Sequence, residues 1–232
     1  MILVGFGNKA RHGKDSAAQA ITHYYEQRKM MWNDDERRMT TGGTTVGTFK
    51  FATALYQEVN EMLAPSPYPN SSIWDTRGFT VTGFSGGYFK LPDWVQPEPN
   101  AEVSALAPYG KHPKLLQWWG TDFRRAQDPD YWAKKLFAST PKDIDIALVT
   151  DVRFPNEFQG IKERNGFTVR INRKNADGSP FVAPDRLADH PSETALDGFN
   201  WDFELDNPHG HAAWLGEQAI TLTEYLRGLS GE

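Results

Sequence analysis

Apolar positions follow two patterns along the chain. An unbroken apolar run at Ile2–Phe6 predicts a buried strand, and short, mostly apolar runs at Val46–Phe49, Ile144–Thr150, Phe167–Ile171 and Phe203–Asp206 predict four more strands. Spacings of three and four predict a helix over Asp15–Met31, with Ala17, Ala18, Ile21, Tyr24 and Tyr25 on one face. The same spacing predicts a helix over Phe51–Leu63, with Leu55, Val59, Met62 and Leu63 turned inward. Further helices are expected at Lys114–Ala126, Asp130–Ser139, Asn156–Asn165 (closed by Gly166) and His211–Leu229. Asn33–Thr45 is polar and rich in Gly and Thr, which predicts a loop. Ala64–Pro113 is crowded with Pro and Gly and reads as an irregular insertion, with a hairpin at Phe79–Phe89 around Ser85-Gly86-Gly87.

Short strands alternating with helices predict an α/β fold with a five-stranded, mainly parallel sheet between two helical layers. The expected organisation is one domain over residues 1–232, with a substrate-side insertion at about 64–113 and a polar, lid-like segment at about 172–197. Ligands of such sheets bind beyond the carboxyl ends of the strands. The chemistry is therefore expected at Asn8–Ser16, Lys50, Asp151–Arg153 and Asn207.

The first of these segments carries a phosphate-binding pattern. The strand at Ile2–Phe6 leads into a polar loop, and Gly13-Lys14-Asp15-Ser16 opens a helix. This is the order of a P-loop. Unpaired N–H groups and the helix dipole attract phosphate, Gly13 admits close backbone approach, and Lys14 and Ser16 add an ammonium and a hydroxyl. The usual first glycine is replaced by Asn8, so either the loop is one residue longer from Gly7 or Asn8 takes the left-handed conformation.

Three further clusters carry candidate chemistry. In Thr150-Asp-Val-Arg-Phe-Pro-Asn-Glu157, Asp151 suits a magnesium-bound water or a ribose hydroxyl, and Arg153 suits a phosphate fork. A purely structural alternative pairs Asp151 with Arg153 and makes Asn156 an N-cap. In Leu115–Arg125 and Asp128–Lys135, Arg124 or Arg125 suits a phosphate clamp and Trp132 a stacking face, against a core role for the tryptophans and solvation of the arginines. Asp189-His-Pro-Ser-Glu-Thr194 has a His, a Ser and acids together, but no elbow presents Ser192, so a lid or substrate loop is the better reading.

Composition narrows the classes. The 232 residues allow one sizeable core. No apolar run approaches the roughly 20 residues that cross a bilayer, and Met1–Phe6 is too short for a signal-peptide core. There are no cysteines, which excludes disulfides and Cys-ligated zinc and suits a reducing cytoplasm. A net charge of −5 argues against bulk attraction for nucleic acid.

These segments together resemble the bacteriophage deoxynucleoside monophosphate kinases, a branch of the P-loop kinases. The resemblance rests on Lys9-Ala-Arg-His-Gly-Lys-Asp-Ser16, Phe51-Ala-Thr-Ala-Leu55, Leu116-Gln-Trp-Trp-Gly-Thr-Asp122 with Tyr131-Trp132, Asp151-Val-Arg-Phe-Pro-Asn-Glu157, and His190-Pro-Ser-Glu-Thr194 before Asp206-Asn207. It implies ATP-dependent phosphorylation of a deoxynucleoside 5′-monophosphate, with Mg2+, in the host cytoplasm. It implies catalytic roles for Lys14, Arg11 and Arg153, and ATP binding by Asn8, Lys9, Arg11, His12, Gly13, Lys14, Asp15 and Ser16. Gln117, Thr121, Arg124, Trp132, Asp151, Arg153 and Glu157 would line the monophosphate pocket, and Asp15, Ser16 and Asp151 would serve the metal. The expected partners are ATP and the monophosphate, with neither nucleic acid nor membrane; a homodimer is compatible. The alternatives are a P-loop kinase for another small phosphorylated acceptor and a non-catalytic nucleotide-binding protein.

Overall fold

The computed structural model describes residues 1–29, 32–33, 38–39, 43–63, 74–75, 78–82, 88–90, 94, 113–184, 191–208 and 211–230. In chain order its elements are β1 (Ile2–Gly7), α1 (Lys14–Lys29), β2 (Trp32–Asn33), β3 (Arg38–Met39), β4 (Val46–Phe49), α2 (Phe51–Leu63), β5 (Trp74–Asp75), β6 (Gly78–Thr82) and β7 (Tyr88–Lys90). Then follow α3 (Pro113–Gln117) running into a π-helix (Trp118–Arg125), α4 (Tyr131–Ser139), β8 (Ile146–Val152), α5 (Pro155–Lys162), β9 (Phe167–Lys174), α6 (Pro191–Thr194), β10 (Phe203–Pro208) and α7 (Ala212–Ser230). The chain divides into two compact units, Met1–Phe51 with Leu136–Glu232, and Ala52–Lys135.

The first unit is an α/β fold around a five-stranded sheet of order β10-β9-β1-β8-β4. Every neighbouring pair is parallel. β1 lies at the centre and all its residues are buried. That explains its unbroken apolar sequence, because both faces must be covered when crossover helices pack on a parallel sheet. After β1 the chain builds β4 and β8 on one side, then β9 and β10 on the other. The order reverses at β1, so the carboxyl end of β1 borders the ligand crevice of this class of sheet. The fold is the three-layer, P-loop kinase-like arrangement expected from the sequence.

On one face, Ala17, Ala18, Ile21 and Tyr25 of α1 and Leu215, Ala219 and Leu226 of α7 join Ile2, Val4, Phe6, Ile146, Leu148, Val169 and Ile171 in one buried cluster. Here the three-and-four spacing of α1 was a true record of its buried side. On the other face, Phe158 and Ile161 of α5 are buried. Gly7 is required there: a Cβ would lie 2.1 Å from the Trp201 ring.

Several boundaries differ from expectation. β8 begins and ends two residues later than the apolar run, so Asp151 belongs to the strand. β9 continues through Asn172–Lys174, taking the start of the polar segment into the sheet. The polar 33–45 stretch contributes Asn33 and Arg38–Met39 to a small antiparallel pair, β2–β3. Asn156 is not the N-cap of α5; Phe154 is, because Pro155 already occupies the first turn.

The second unit contains α2, the β5–β6–β7 antiparallel strands and the α3–π segment. β6 and β7 pair Thr80 with Lys90 and Thr82 with Tyr88, and the two strands run one residue beyond each end of the hairpin expected at Phe79–Phe89; its Ser85-Gly86-Gly87 turn and most of residues 64–112 lie outside the described residues. The single helix expected at Lys114–Ala126 becomes a π-helix from Trp118. Its wider turn brings residues five apart together, Trp118 tilted against Phe123 at 5.6 Å between ring centroids and Arg124 over Trp119 at 4.6 Å, while Trp119 and Phe123, four apart, stack at 4.6 Å. Among the described residues, no helix is long and apolar enough to cross a membrane.

Candidate active site

The turn from β1 to α1 is held open by three residues with positive φ: Asn8 (98°), Arg11 (59°) and Gly13 (104°). Asn8 thus stands in the usual glycine position by adopting the left-handed region, one of the two routes open from the sequence. Its side chain stabilises that choice. Asn8 Nδ2 donates to Ile171 O at 2.9 Å and to Asn172 Oδ1 at 3.1 Å, tying the loop to β9. Gly13 cannot be replaced without strain: its φ is positive, and a Cβ would sit 2.7 Å from Leu215 and 2.8 Å from Asn207. Asn207, at the end of β10, donates to His12 O at 2.9 Å and supports the same turn.

His12 is buried, with Nδ1 2.9 Å from Ile171 O and Nε2 3.3 Å from Phe181 O. Burial lowers its pKa, and the nearby Lys14 and Lys9 charges add to that, so its ring is neutral and structural near pH 7. Lys14 opens α1. Its Nζ donates to Asn8 O at 2.9 Å and Lys9 O at 2.5 Å, so the ammonium curls back over the loop. Only 6% of the residue is exposed. Burial, and then the charge of Arg153, lowers its pKa to about 7, while Glu193, Asp15 and Asp151 pull the other way. A partly discharged lysine at a helix N-terminus is poised to regain its proton beside a polyanion.

Asp15 accepts from Thr150 Oγ1 at 2.8 Å and Lys50 Nζ at 2.7 Å, both through Oδ1. Against burial, which would raise it, these hydrogen bonds hold its carboxyl below the usual range. Ser16 is exposed in the first turn of α1. Arg11 is exposed, and its carbonyl accepts from Arg173 Nη1 at 2.9 Å.

The β8 end is built mainly of supports. Asp151 Oδ1 accepts the Phe51 N–H at 2.8 Å and so caps the start of α2. Glu157 is buried, and its Oε2 accepts the backbone N–H groups of Arg153 at 2.8 Å and Phe154 at 3.1 Å. It shapes the turn that carries Arg153. Arg153 Nη1 donates to Glu193 Oε1 at 2.6 Å. Glu193 was not among the expected site residues, although its Ser-Glu-Thr segment stood out in the sequence. Thr150 was likewise missed, because a hydroxyl inside an apolar strand carries no signal of its own.

Gln117, Thr121, Arg124 and Trp132 belong to the second unit. Gln117 and Thr121 are exposed. Arg124 lies over the rings of Trp119 and Tyr131, at 4.6 and 4.8 Å, and its Nε donates to Glu58 at 3.0 Å. Trp132 departs from the expected stacking role: it is 3% exposed, and its Nε1 donates to Gly120 O at 2.9 Å. An indole with its N–H spent and its faces packed has no surface to offer a base. Among the described residues no three His, Cys, Asp or Glu side chains cluster to bind a metal.

The central parallel strand, the turn at its carboxyl end and the helix that follows give a P-loop kinase-like fold. No family model matches the chain. It is similar to the deoxynucleoside-5′-monophosphate kinase of Escherichia phage T5, at 25% identity over 242 aligned residues that cover 89% of each chain.

Proposed function

We propose that the chain transfers the terminal phosphoryl group of ATP to a deoxynucleoside 5′-monophosphate, giving ADP and the diphosphate. The observation that carries this reading is Lys14, buried at the mouth of the left-handed loop and close enough to Arg153 for the two charges to interact. The name of the phage T5 relative supports the acceptor class. A phage-encoded enzyme of this kind would work on soluble nucleotides in the host cytoplasm.

In this reading the N–H groups at Gly13–Ser16 and the Lys14 ammonium hold the ATP phosphates. Arg11 lies between donor and acceptor phosphates, and Arg153 binds the acceptor phosphate. Asn8, Lys9 and His12 hold the loop in shape. Asp151 and Glu157 contribute by fixing the start of α2 and the Arg153 turn.

The residues fit ATP with magnesium. The donors at Gly13–Ser16 suit a polyphosphate, and Ser16, Asp15 and Asp151 would hold the ion with water and phosphate oxygens, since Mg2+ takes few protein ligands. Magnesium, when bound, neutralises charge on the phosphate oxygens. The attacking group is already an anionic oxygen, so no strong base is needed. Lys14, Arg11 and Arg153 align the two phosphates and offset their repulsion, and exclusion of water prevents hydrolysis.

An ADP-release assay across deoxynucleoside and ribonucleoside monophosphates tests the proposal. Turnover with at least one deoxynucleoside monophosphate is expected. ATP binding without turnover on the whole panel would refute it.

A further inference from the structure

Glu193 is a buried carboxylate that belongs to neither of the turns it touches. Its side chain is 4% exposed. It is carried on α6, a single turn between β9 and β10. Oε2 accepts the backbone N–H of Ala10, inside the phosphate loop, at 2.7 Å. Oε1 accepts from Arg153 Nη1 at 2.6 Å, on the β8–α5 turn, and lies 3.3 Å from Ser192 Oγ. One side chain therefore joins the loop expected to hold the phosphoryl donor to the arginine expected to hold the acceptor.

The electrostatics require such a link. Arg153 and Lys14 are like charges close enough for Arg153 to depress the Lys14 pKa, and Glu193 opposes that effect. Against its own burial, the Ala10 N–H and the Arg153 charge keep Glu193 ionised. Without the carboxylate, the two cations repel and Ala10 is left with a buried, unpaired N–H.

We propose that Glu193 is a positioning residue that clamps the phosphate loop to Arg153, and that the Ala10 amide stays with Glu193 when ATP binds. This rests on the kinase reading above. The phosphate cradle is then formed by the amides from Gly13 onward, and Ala10 is a fixed point of the loop. The arginine is held by one Nη and keeps the rest of its fork for an anion. A loosened arginine still allows ATP to bind but misplaces the acceptor, and a misplacement of about 1 Å costs on the order of 100-fold in rate.

The test uses the full chain and the variants Glu193→Gln, Arg153→Ala and the double variant. Glu193→Gln is expected to bind ATP within about threefold of the unaltered chain while kcat falls roughly 10- to 100-fold. Arg153→Ala should be costly in the unaltered background and markedly less costly beside Glu193→Gln, because the two substitutions disturb one shared arrangement. Losses that simply multiply would overturn the clamp, as would full turnover by Glu193→Gln. In a 15N-labelled sample, the Ala10 amide proton should lie downfield, hold its position when ATP shifts the Gly13–Ser16 amides, and move upfield in Glu193→Gln. An Ala10 signal that follows ATP and ignores the substitution would sink the proposal. Absence of turnover in the unaltered chain refutes the kinase reading alone, and the Ala10 signal then decides the clamp by itself. Should Glu193→Gln fail to fold, Glu193→Asp serves both measurements: its shorter reach predicts the same upfield move and rate loss, and their absence counts against the clamp.

Discussion

Each unit of this protein has a buried glutamate holding a cation, and the two solve the problem differently. In the second unit, Glu58 receives four donors: Trp119 Nε1 at 2.8 Å, Arg124 Nε at 3.0 Å, Lys135 Nζ at 3.1 Å and the Tyr131 hydroxyl. Aromatic faces cover Arg124 as well. In the first unit, Glu193 satisfies Arg153 and a backbone amide, whereas the Lys14 amine donates to the carbonyl oxygens of Asn8 and Lys9. A guanidinium does not give up its proton and is secured by stacking and a carboxylate. A buried ammonium beside another cation sheds charge instead, here against the pull of Glu193, Asp15 and Asp151. The contrast distinguishes a cation stabilised in place from one left under-compensated, ready for an incoming anion.

The sharpest way to break that comparison is to remove the under-compensated cation. Lys14→Ala should lower kcat on the order of 10³-fold while the thermal unfolding midpoint stays the same or rises, since a buried polar amine is lost. A large fall in the midpoint with activity retained would reverse the assignment of roles. Next in size is Glu58→Ala. It leaves Arg124 without its carboxylate and should destabilise the second unit by about 3 kcal/mol. Hydrogen exchange should then show lost protection at α2 and Trp118–Arg125 with ATP binding little changed. Unaltered protection would show that the stacked rings alone hold Arg124.

The third prediction uses pH. The Lys14 pKa is about 7 in the fold against an ordinary 10.5. Between those values the unfolded chain binds a proton that the folded chain does not. Lys14 therefore favours the folded state increasingly as pH rises through that window, and its charged form opposes folding most fully below about 7. ATP binding has the opposite sign, because phosphate needs the ammonium. Calorimetry should show proton uptake on binding and an affinity that falls by up to about tenfold per pH unit above pH 7. A flat affinity from pH 7 to 9 would contradict it. Smallest is Trp132→Phe, which deletes the hydrogen bond to Gly120 and leaves the ring packing; a loss of about 1 kcal/mol is expected. Unchanged stability together with a raised KM for the monophosphate would restore Trp132 to the binding surface.

Much of the first unit was legible in advance because its signals are local. A fully buried central strand must be apolar throughout, as Ile2–Phe6 is, and α1 must turn Ala17, Ala18 and Ile21 to the sheet. The turn from β1 into α1 was legible for the same reason: Gly13-Lys14-Asp15-Ser16 is a contiguous backbone device that opens the helix. The second unit was far less so. Nothing in Leu115–Arg125 distinguishes an α-helix from the π-helix that stacks Trp119 on Arg124. Trp132 has the same letter whether its indole faces solvent or Gly120. In the first unit too, a carboxylate after a strand carries no mark of which N–H it will accept: Asp151 takes that of Phe51, and Glu157 those of Arg153 and Phe154.

The sequence by itself determined the alternation of strand and helix, the residues of the central strand and the position of the turn that leads from it into α1. Each depends on neighbours within one turn or one pleat. Only the tertiary structure decided that Asn8 adopts a positive φ against β9, that Lys14 lies buried enough to lose much of its charge, and that Glu193 reaches both Ala10 and Arg153. Those outcomes depend on desolvation and on contacts between residues distant in the chain, 163 positions for Asn8–Ile171, 183 for Ala10–Glu193 and 40 for Arg153–Glu193, and no local pattern encodes them.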